Sequence, residues 1–409
     1  MTEPVVAGDP AALGFDPTRL ARVDAHLARY VDDGRLPGAS ILVSRRGQVA
    51  HQFCCGARDI AAGLPMRTDT VVRIYSMTKP VTSVAAMMLV ERGLLELTDP
   101  ISKWIPAFGQ ARVYTGGPAA RPVTVPVTEP VRVWHLLTHT AGLTYGFHRV
   151  HVVDEMYRGA GFEWGMPPDL DLAAVVDRWA GLPLLFQPGA EWNYSVATDV
   201  LGRLVEVISG QSLPDFFAEH ILGPLGMVDT GFTAVDESRL AALYVRNPAD
   251  GALLRYDTLG EEILRVPAAA SGGGGLASTL GDYHRFTQLL LRGGELDGVR
   301  LLGPRTVRAM TGNHLPGGAD LAAFGRPLYA ETSYAGTGFG LGFSVLLDPA
   351  AAHSLATPGE FGWGGAASTA FWVDPVEDLT VIFLTQLLPS STYPIRSELR
   401  SLIYQALVA

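Results

Sequence analysis

A serine and a lysine three residues apart are the first pair in the chain that could do chemistry. Ser76 and Lys79 open the stretch Val81 to Glu91, which is rich in Ala, Met and Val and predicts a buried helix. Side chains three apart on a helix lie on one face, about 5–6 Å from each other, so the amine can reach the hydroxyl. A serine hydroxyl needs a base to take its proton, and a lysine can assist when burial favours its neutral form. The pair therefore indicates nucleophilic catalysis.

The lysine usage of the chain makes this pair specific. Lys79 and Lys103 are the only lysines among 31 basic residues, and all the others are arginine. Arginine stays protonated at any relevant pH and cannot act as a base. A chain that uses arginine almost everywhere has kept an amine at a predicted buried helix start. This favours a catalytic lysine over a surface lysine beside an N-cap serine.

A tyrosine on a predicted loop is the second candidate. Tyr194 follows the turn at 187–189 and precedes a helix predicted from Val196. Because the pKa of a phenol falls beside a lysine cation, Tyr194 and Lys79 are expected to serve together as general base. Without Ser76, this tyrosine would be interpreted as an aromatic residue that covers the core.

The third group is the glycine-rich stretch Gly362 to Ala366, which precedes a strand predicted over residues 368–373. Glycines let a backbone edge approach a ligand, and a strand edge offers N–H groups to an oxyanion. Taken alone, the stretch would fit a β-bulge better. Aromatic residues near the motifs are predicted as pocket walls, although ordinary packing explains each of them equally well: Tyr75, Trp134, Tyr145, Phe147, Trp164 and Trp192.

The remaining pattern predicts the elements that must position these residues. Residues 16–31 predict a helix, and residues 39–43 with 49–54 predict a hairpin. Helical patches follow at 131–137, 172–179, 196–208 and 214–222, then strands at 339–347, 368–373 and 379–387 and a last helix at 394–407. The predicted fold is α+β, an antiparallel sheet flanked by helices and built from both chain ends. Residues 1–95 and 270–409 are expected to form the sheet domain, and residues 96–269 an inserted, mostly helical domain.

Composition excludes several classes of protein. The chain has 409 residues and a formal charge of −10, with no stripe of basic residues that could bind nucleic acid. No apolar run approaches the roughly 18 residues of a membrane span. Residues 1–9 do not resemble a signal peptide, so a cytoplasmic location is expected. The adjacent Cys54 and Cys55 exclude a disulfide framework. His135 and His139 have a metal-ligand spacing but no evident third ligand, so neither a metal nor another cofactor is expected.

The ordered motifs resemble the family that contains class C β-lactamases, D-Ala-D-Ala peptidases and family VIII carboxylesterases. They run over nearly the full length: Ser76 to Lys79, His135 to Leu143, Tyr194-Ser195, Gly272 to Ala277 and Trp363 to Gly365. The resemblance implies that Ser76 is the nucleophile, Lys79 its helix partner and Tyr194 the tyrosine of a Y-x-N type motif. It also implies that the backbone N–H groups of Ser76 and Ala366 form the oxyanion hole.

Two departures from the family pattern indicate which branch of the family the chain resembles. Val196 stands where the Y-x-N motif has asparagine, and Trp363-Gly364-Gly365 replaces the K-T-G that binds a substrate carboxylate. A carboxylate would lack its usual ammonium partner, whereas a neutral ester would lose nothing. W-G-G is similar to the sequence in some family VIII esterases and in a transesterase that acts on a statin precursor. Trp363 is therefore expected to line the acyl pocket, with Gly364 and Gly365 beside the substrate.

The sequence thus predicts a serine carboxylesterase that hydrolyses small or medium-chain neutral esters through an acyl-enzyme on Ser76. Acyl transfer to an alcohol other than water and weak β-lactamase activity stay open, because the same acyl-enzyme serves them. A non-catalytic binding protein is the alternative from another class, and the presence of all three reactive side chains disfavours it. The expected partner is a small ester. The sequence does not indicate the oligomeric state.

Overall fold

A computed structural model describes residues 8–409; most of the N-terminal stretch predicted not to be a signal peptide lies outside the described residues. The helices are α1 Pro17–Asp32, α2 Thr78–Glu91, α3 Val133–Leu137, α4 Val152–Gly159, α5 Leu172–Ala180, α6 Ala197–Ser209, α7 Leu213–Phe217, α8 Gly223–Leu225, α9 Asp257–Gly260, α10 Leu280–Leu291, α11 Pro304–Met310, α12 Leu321–Phe324 and α13 Ile395–Tyr404. The strands are β1 Gly38–Arg45, β2 Gln48–Asp59, β3 Leu64–Pro65, β4 Val72–Arg73, β5 Arg112–Gly116, β6 Val123–Pro126, β7 Tyr244–Arg246, β8 Leu253–Arg255, β9 Ala277–Ser278, β10 Glu295–Leu296, β11 Val299–Arg300, β12 Thr337–Phe339, β13 Ser344–Leu346, β14 Phe361–Gly364, β15 Ala370–Asp374, β16 Leu379–Thr385 and β17 Leu387–Leu388.

Eight of these strands form one antiparallel sheet, in the order β12-β13-β14-β15-β16-β1-β2-β3. The pairing of β16 with β1 joins the two chain ends, with Ile41 opposite Phe383. The predicted antiparallel sheet built from both ends of the chain is therefore confirmed. The division into two domains at residues 95 and 270 stays a prediction.

The sheet is buried on both faces because its apolar residues alternate between two cores. On β16, Val381 and Phe383 belong to the core beneath the two terminal helices α1 and α13, while Ile382 belongs to the larger core around α2 and α10. The larger core carries the reactive residues, so the terminal helices close the opposite face of the sheet.

Two local predictions near the end of the chain are wrong. The strand predicted over residues 339–347 is a hairpin of β12 and β13, because the backbone at Gly342 has a φ of +99° and reverses close to Ser83. Of the stretch Gly362 to Ala366, interpreted as a glycine-rich approach to a strand, residues 362–364 belong to strand β14. Its four residues pair with β15 over the register Phe361 to Gly364, which places Trp363 within the sheet.

Residues 96–269 carry helices α3 to α9 and the strand pairs β5–β6 and β7–β8, and the four helical patches predicted there are all present. The last patch continues as a short π-helix at Ala218–Leu222. Within residues 8–409, no helix is both long and apolar enough to cross a membrane.

Candidate active site

Ser76 lies in a short 3-10 helix, Tyr75–Met77, that leads directly into α2. The preceding Tyr75 has a φ of +42°, a backbone conformation that side chains other than glycine seldom adopt. Two contacts fix this turn from outside: Tyr283 donates its hydroxyl to the Met77 carbonyl at 2.9 Å, and Leu276 donates its N–H to the Thr78 hydroxyl at 3.1 Å. Ser76 is therefore held at a rigid corner between strand β4 and the buried helix.

The structure brings the three reactive side chains predicted from the sequence together. The hydroxyl of Tyr194 lies 2.6 Å from Ser76 Oγ, and Lys79 Nζ lies 3.2 Å from the same oxygen. Lys79 and Tyr194 are almost completely buried, at 2% and 1% exposure. Tyr194 comes from a loop 118 residues further along the chain, so only the fold can create this contact.

Lys79 has two further partners. Its Nζ lies 2.6 Å from the carbonyl oxygen of Gly273 and 2.9 Å from the hydroxyl of Tyr145. Tyr145 was predicted as a pocket wall, and the structure places it directly on the amine. Val196, in place of the family's asparagine, is buried and apolar, so its side chain offers Lys79 no hydrogen bond.

Burial gives the two partners of Ser76 opposite pKa shifts. The pKa of Lys79 falls from its ordinary 10.5 to about 8 because burial disfavours the ammonium form, while the charges of Asp199 and Glu331 act in the other direction. Burial raises the pKa of Tyr194 well above its ordinary value, and the charge of Glu331 raises it further. The prediction that Lys79 lowers the pKa of Tyr194 is therefore wrong. Near neutral pH the amine is the group that can lose its proton.

The loop that carries Tyr194 is held by two histidines. His148 donates from Nε2 to the Tyr194 carbonyl at 2.8 Å, and the His139 carbonyl accepts the N–H of Asn193 at 2.9 Å. The His139 ring is buried 3.1 Å from the Ser195 hydroxyl, and burial, followed by the charge of Lys79, lowers its pKa well below the usual value. These contacts give His139 and His148 structural roles.

The turn after β14 packs against the segment that leads into Ser76. Gly365 packs so closely against the Ile74 carbonyl that a side-chain Cβ there would collide with its oxygen. The next residue, Ala366, is partly exposed, and within residues 8–409 its backbone N–H has no protein acceptor. The end of β14 therefore lies against the segment that carries Ser76, as an oxyanion hole formed by Ser76 and Ala366 requires.

Sequence reasoning missed the residue that holds this turn. Arg396, in α13, donates to the carbonyls of Gly365 at 2.8 Å and Thr369 at 2.7 Å. Its guanidinium also pairs with Glu331 at 2.7 Å, and this carboxylate has only 1% side-chain exposure. An arginine near the end of a chain with 31 basic residues gave no signal that could have identified it.

The aromatic residues predicted as pocket walls divide into two groups. The Trp363 ring lies 5.4 Å from that of Tyr194, and Tyr145 stacks on Phe147, which stacks in turn on Trp164 at 5.3 Å. These rings form a continuous wall from Lys79 to the surface, where Trp164 is 65% exposed.

Trp134 and Tyr75 lie differently. The Trp134 ring packs against His135, 3.9 Å away, and contacts neither Ser76 nor Lys79 in any ring contact or hydrogen bond of the described residues. Tyr75 adjoins the nucleophile, but its hydroxyl is buried without a hydrogen-bond partner in residues 8–409. The predicted substrate-binding roles of both residues stay predictions.

The protein combines an antiparallel sheet flanked by helices with a serine, a lysine and a tyrosine in contact at the start of a buried helix. These features are those of a serine enzyme that transfers acyl groups. The Beta-lactamase family model matches residues 23–405, and the chain belongs to this family. The family predicted from the motifs is therefore confirmed.

Three relatives are similar over most of their lengths. Protein Rv1367c of Mycobacterium tuberculosis (strain ATCC 25618 / H37Rv) is 41% identical, with 89% of each chain covered. Esterase EstB of Burkholderia gladioli is 33% identical, and the match covers 97% of this chain and 98% of EstB. The structure of EstCE1, described as a hydrolase with promiscuous acyltransferase activity, superposes with a TM-score of 0.80 at 28% identity and covers 95% of this chain and 99% of EstCE1.

Proposed function

We propose that this protein is a serine carboxylesterase that hydrolyses small or medium-chain neutral esters through an acyl-enzyme on Ser76. The observation that carries the proposal is the placement of Ser76 Oγ within 3.2 Å of a buried amine and 2.6 Å of a buried phenol. The similarity to an esterase over nearly the full length supports the reaction class.

In the first step, neutral Lys79 takes the proton of Ser76. A neutral amine has two N–H groups and one lone pair. The N–H groups are matched by the carbonyl of Gly273 and the hydroxyl of Tyr145, which leaves the lone pair for the Ser76 hydroxyl. Tyr194 stays protonated and donates to Ser76 Oγ, which stabilises the developing alkoxide.

The same groups act in the remaining steps, in which Lys79 returns the proton that it has taken. Ser76 Oγ bonds to the ester carbonyl carbon, and the carbonyl oxygen becomes an oxyanion that the N–H groups of Ser76 and Ala366 stabilise. When the C–O bond to the alcohol breaks, the Lys79 ammonium returns its proton to the leaving alkoxide, directly or through the Tyr194 hydroxyl. Water then attacks the acyl-enzyme by the same route, releases the acid and restores Ser76.

The residues around the site fit a neutral substrate. The guanidinium of Arg396 contacts the turn after β14, but it is already bound to Glu331 and to two carbonyls. It therefore offers little to a substrate carboxylate. Trp363 presents an aromatic ring beside Tyr194 in the place where the family has a lysine. We further propose that the protein works in the cytoplasm on small molecules and not on nucleic acid.

Acyl transfer to an alcohol is the second candidate, favoured by the likeness to EstCE1 and its described acyltransferase activity. Both reactions share the acyl-enzyme and differ in the acceptor. Measuring the partition of a p-nitrophenyl ester between acid and new ester, as an added alcohol is increased, separates the two.

The decisive experiment compares the wild-type protein with Ser76→Ala on p-nitrophenyl esters and with a serine-reactive phosphonate. We expect the substitution to lower kcat by about 10⁴-fold or more and to abolish the phosphonate adduct seen by intact mass. Ser83→Ala is a matched control, because Ser83 lies about two helical turns after Ser76, and within residues 8–409 its hydroxyl donates only to the Lys79 carbonyl. Full esterase activity in Ser76→Ala would overturn the proposal.

A further inference from the structure

The glycine run Gly272 to Gly275 lies between Lys79 and a buried carboxylate, Asp199. The run forms a tight turn in which Gly275 donates its N–H to the Ser271 carbonyl at 2.9 Å. Its second glycine, Gly273, presents to Lys79 the carbonyl that forms the shortest of the contacts of that amine. The position of Lys79 therefore depends on what holds this turn.

A buried carboxylate holds the turn from the opposite side. Asp199, in the first turn of α6, is 3% exposed, and one of its oxygens accepts both the Ser271 hydroxyl at 2.6 Å and the Gly273 N–H at 2.9 Å. A Cβ at Gly273 would collide with the other oxygen of Asp199, and a Cβ at Gly272 would press on the Thr198 carbonyl. Glycine is needed here because the turn lies directly on the carboxylate.

We propose that Asp199 is a positioning residue that holds the 271–275 turn, so that the Gly273 carbonyl orients Lys79 towards Ser76. Asp199 touches neither Ser76 nor Lys79 by hydrogen bond, so it acts through the turn and through its charge. Asp199 stands five residues after Tyr194 in the chain. One short segment therefore carries Tyr194 and also the carboxylate that acts on Lys79 through the turn. The inference rests on the proposed role of Lys79 as the base.

The charge of Asp199 gives the proposal a signature that packing alone would not produce. Asp199 and Glu331 are the two negative charges that act on Lys79, and both favour its ammonium form against burial. The other titratable groups facing the amine are the phenols of Tyr145 and Tyr194 and the imidazole of His139, all of which burial keeps neutral. Removing the charge of Asp199 should therefore lower the pKa of Lys79.

The experiment measures the titration of Lys79 and the pH profile of kcat/KM in Asp199→Asn, on the full chain with a p-nitrophenyl ester. Asparagine keeps an oxygen for Ser271 and Gly273 but has no charge. We expect both the Lys79 titration and the acid limb of the profile to shift to lower pH, with a small change in the plateau. Asp199→Ala removes the tether as well, and its plateau should fall by about 10²-fold, the cost of misplacing a catalytic group by about 1 Å.

Asp282→Asn is the matched control. Asp282 is also a buried carboxylate, which accepts from Thr230 and from the Asp229 N–H, but its charge does not act on Lys79. It should leave the acid limb in place. If Asp199→Asn does not fold, Ser271→Ala carries the test, because it removes one tether and keeps the charge. A plateau unchanged in Ser271→Ala would then overturn the proposal.

The proposed function and the role of Asp199 can be tested separately. If the acid limb of the wild-type protein does not follow the titration of Lys79, the proposed function fails whatever Asp199 does. If it does follow and Asp199→Asn moves neither quantity, only the role of Asp199 is wrong.

Discussion

The two sides of Ser76 differ in whether side chains or backbone groups act on it. On one side lie titratable side chains, Lys79 and Tyr194, buried so deeply that burial dominates their pKa values. On the other side lies backbone, the turn after β14 with its N–H groups, held by Arg396, which pairs with the buried Glu331. The proton-transfer side thus depends on residue type, and the oxyanion side on the path of the chain.

This difference means that the two sides should respond differently to substitution. Changing a side chain of the proton-transfer side removes a chemical group, which should reduce the rate and alter its pH dependence. Changing the backbone of the oxyanion side moves a donor without removing it. This should reduce the rate and leave the pH dependence unaltered as long as the charge of Glu331, which acts on Lys79, is kept.

The largest effect is expected at Lys79. Lys79→Arg keeps the charge but cannot release the proton, so kcat/KM should fall by on the order of 10⁴-fold. The other lysine provides a matched control: Lys103 is exposed and pairs with Asp99, and Lys103→Arg should have the wild-type rate. Steady-state kinetics on a p-nitrophenyl ester measures both. A Lys79→Arg protein within tenfold of the wild type would show that the amine is not the base.

A smaller effect is expected at Gly365. Gly365→Ala forces the turn away from the Ile74 carbonyl and so displaces the Ala366 donor, which should lower kcat by about 10²–10³-fold. The acid limb of the pH profile should stay where it is in the wild-type protein. Gly159→Ala is the control, since a Cβ there meets open space at the end of α4. A shifted acid limb in Gly365→Ala would remove the distinction between the two sides.

The smallest effect on rate is expected at the ion pair. Arg396→Met leaves Glu331 buried without its cation, so the protein should lose about 3–5 kcal/mol of stability, while the rate falls by roughly tenfold as the turn loosens. Adding Glu331→Gln removes the uncompensated charge and should recover much of the stability but not the rate. Chemical denaturation and kinetics measure the two quantities. If the single and double variants were equally stable, the charge of Glu331 would not need Arg396 as its partner, which would contradict this prediction.

The same contrast explains how far the sequence could be interpreted. The sequence predicted the roles of Ser76, Lys79 and Tyr194 because their chemistry depends on the type and spacing of the residues. The terminal strands and helices followed from the alternation and periodicity of their apolar residues. Strand β14 was missed because three of the five residues over 362–366 are glycine, which resembles a turn more than a strand.

Other features depended on tertiary contacts that no local pattern encodes. The predicted direction of the pKa shift of Tyr194 was wrong because burial, the largest cause, raises the pKa, and burial is a property of the fold. Arg396 and Glu331 lie 65 residues apart and carry no motif. Asp199 and Gly273 lie 74 residues apart, so no local pattern shows that this carboxylate holds the turn beside Lys79.

The account rests on Lys79 as the base, and its titration can be followed directly because the chain has only two lysines. In protein labelled with ¹³C at the lysine ε-carbon, Lys79→Arg assigns one NMR signal to Lys79 and leaves the other to Lys103. We predict that the Lys79 signal titrates near pH 8 and that kcat/KM rises with pH over the same interval, because the neutral amine is the active form. A Lys79 signal that titrates at the ordinary 10.5, with a rate that rises elsewhere, would contradict the account.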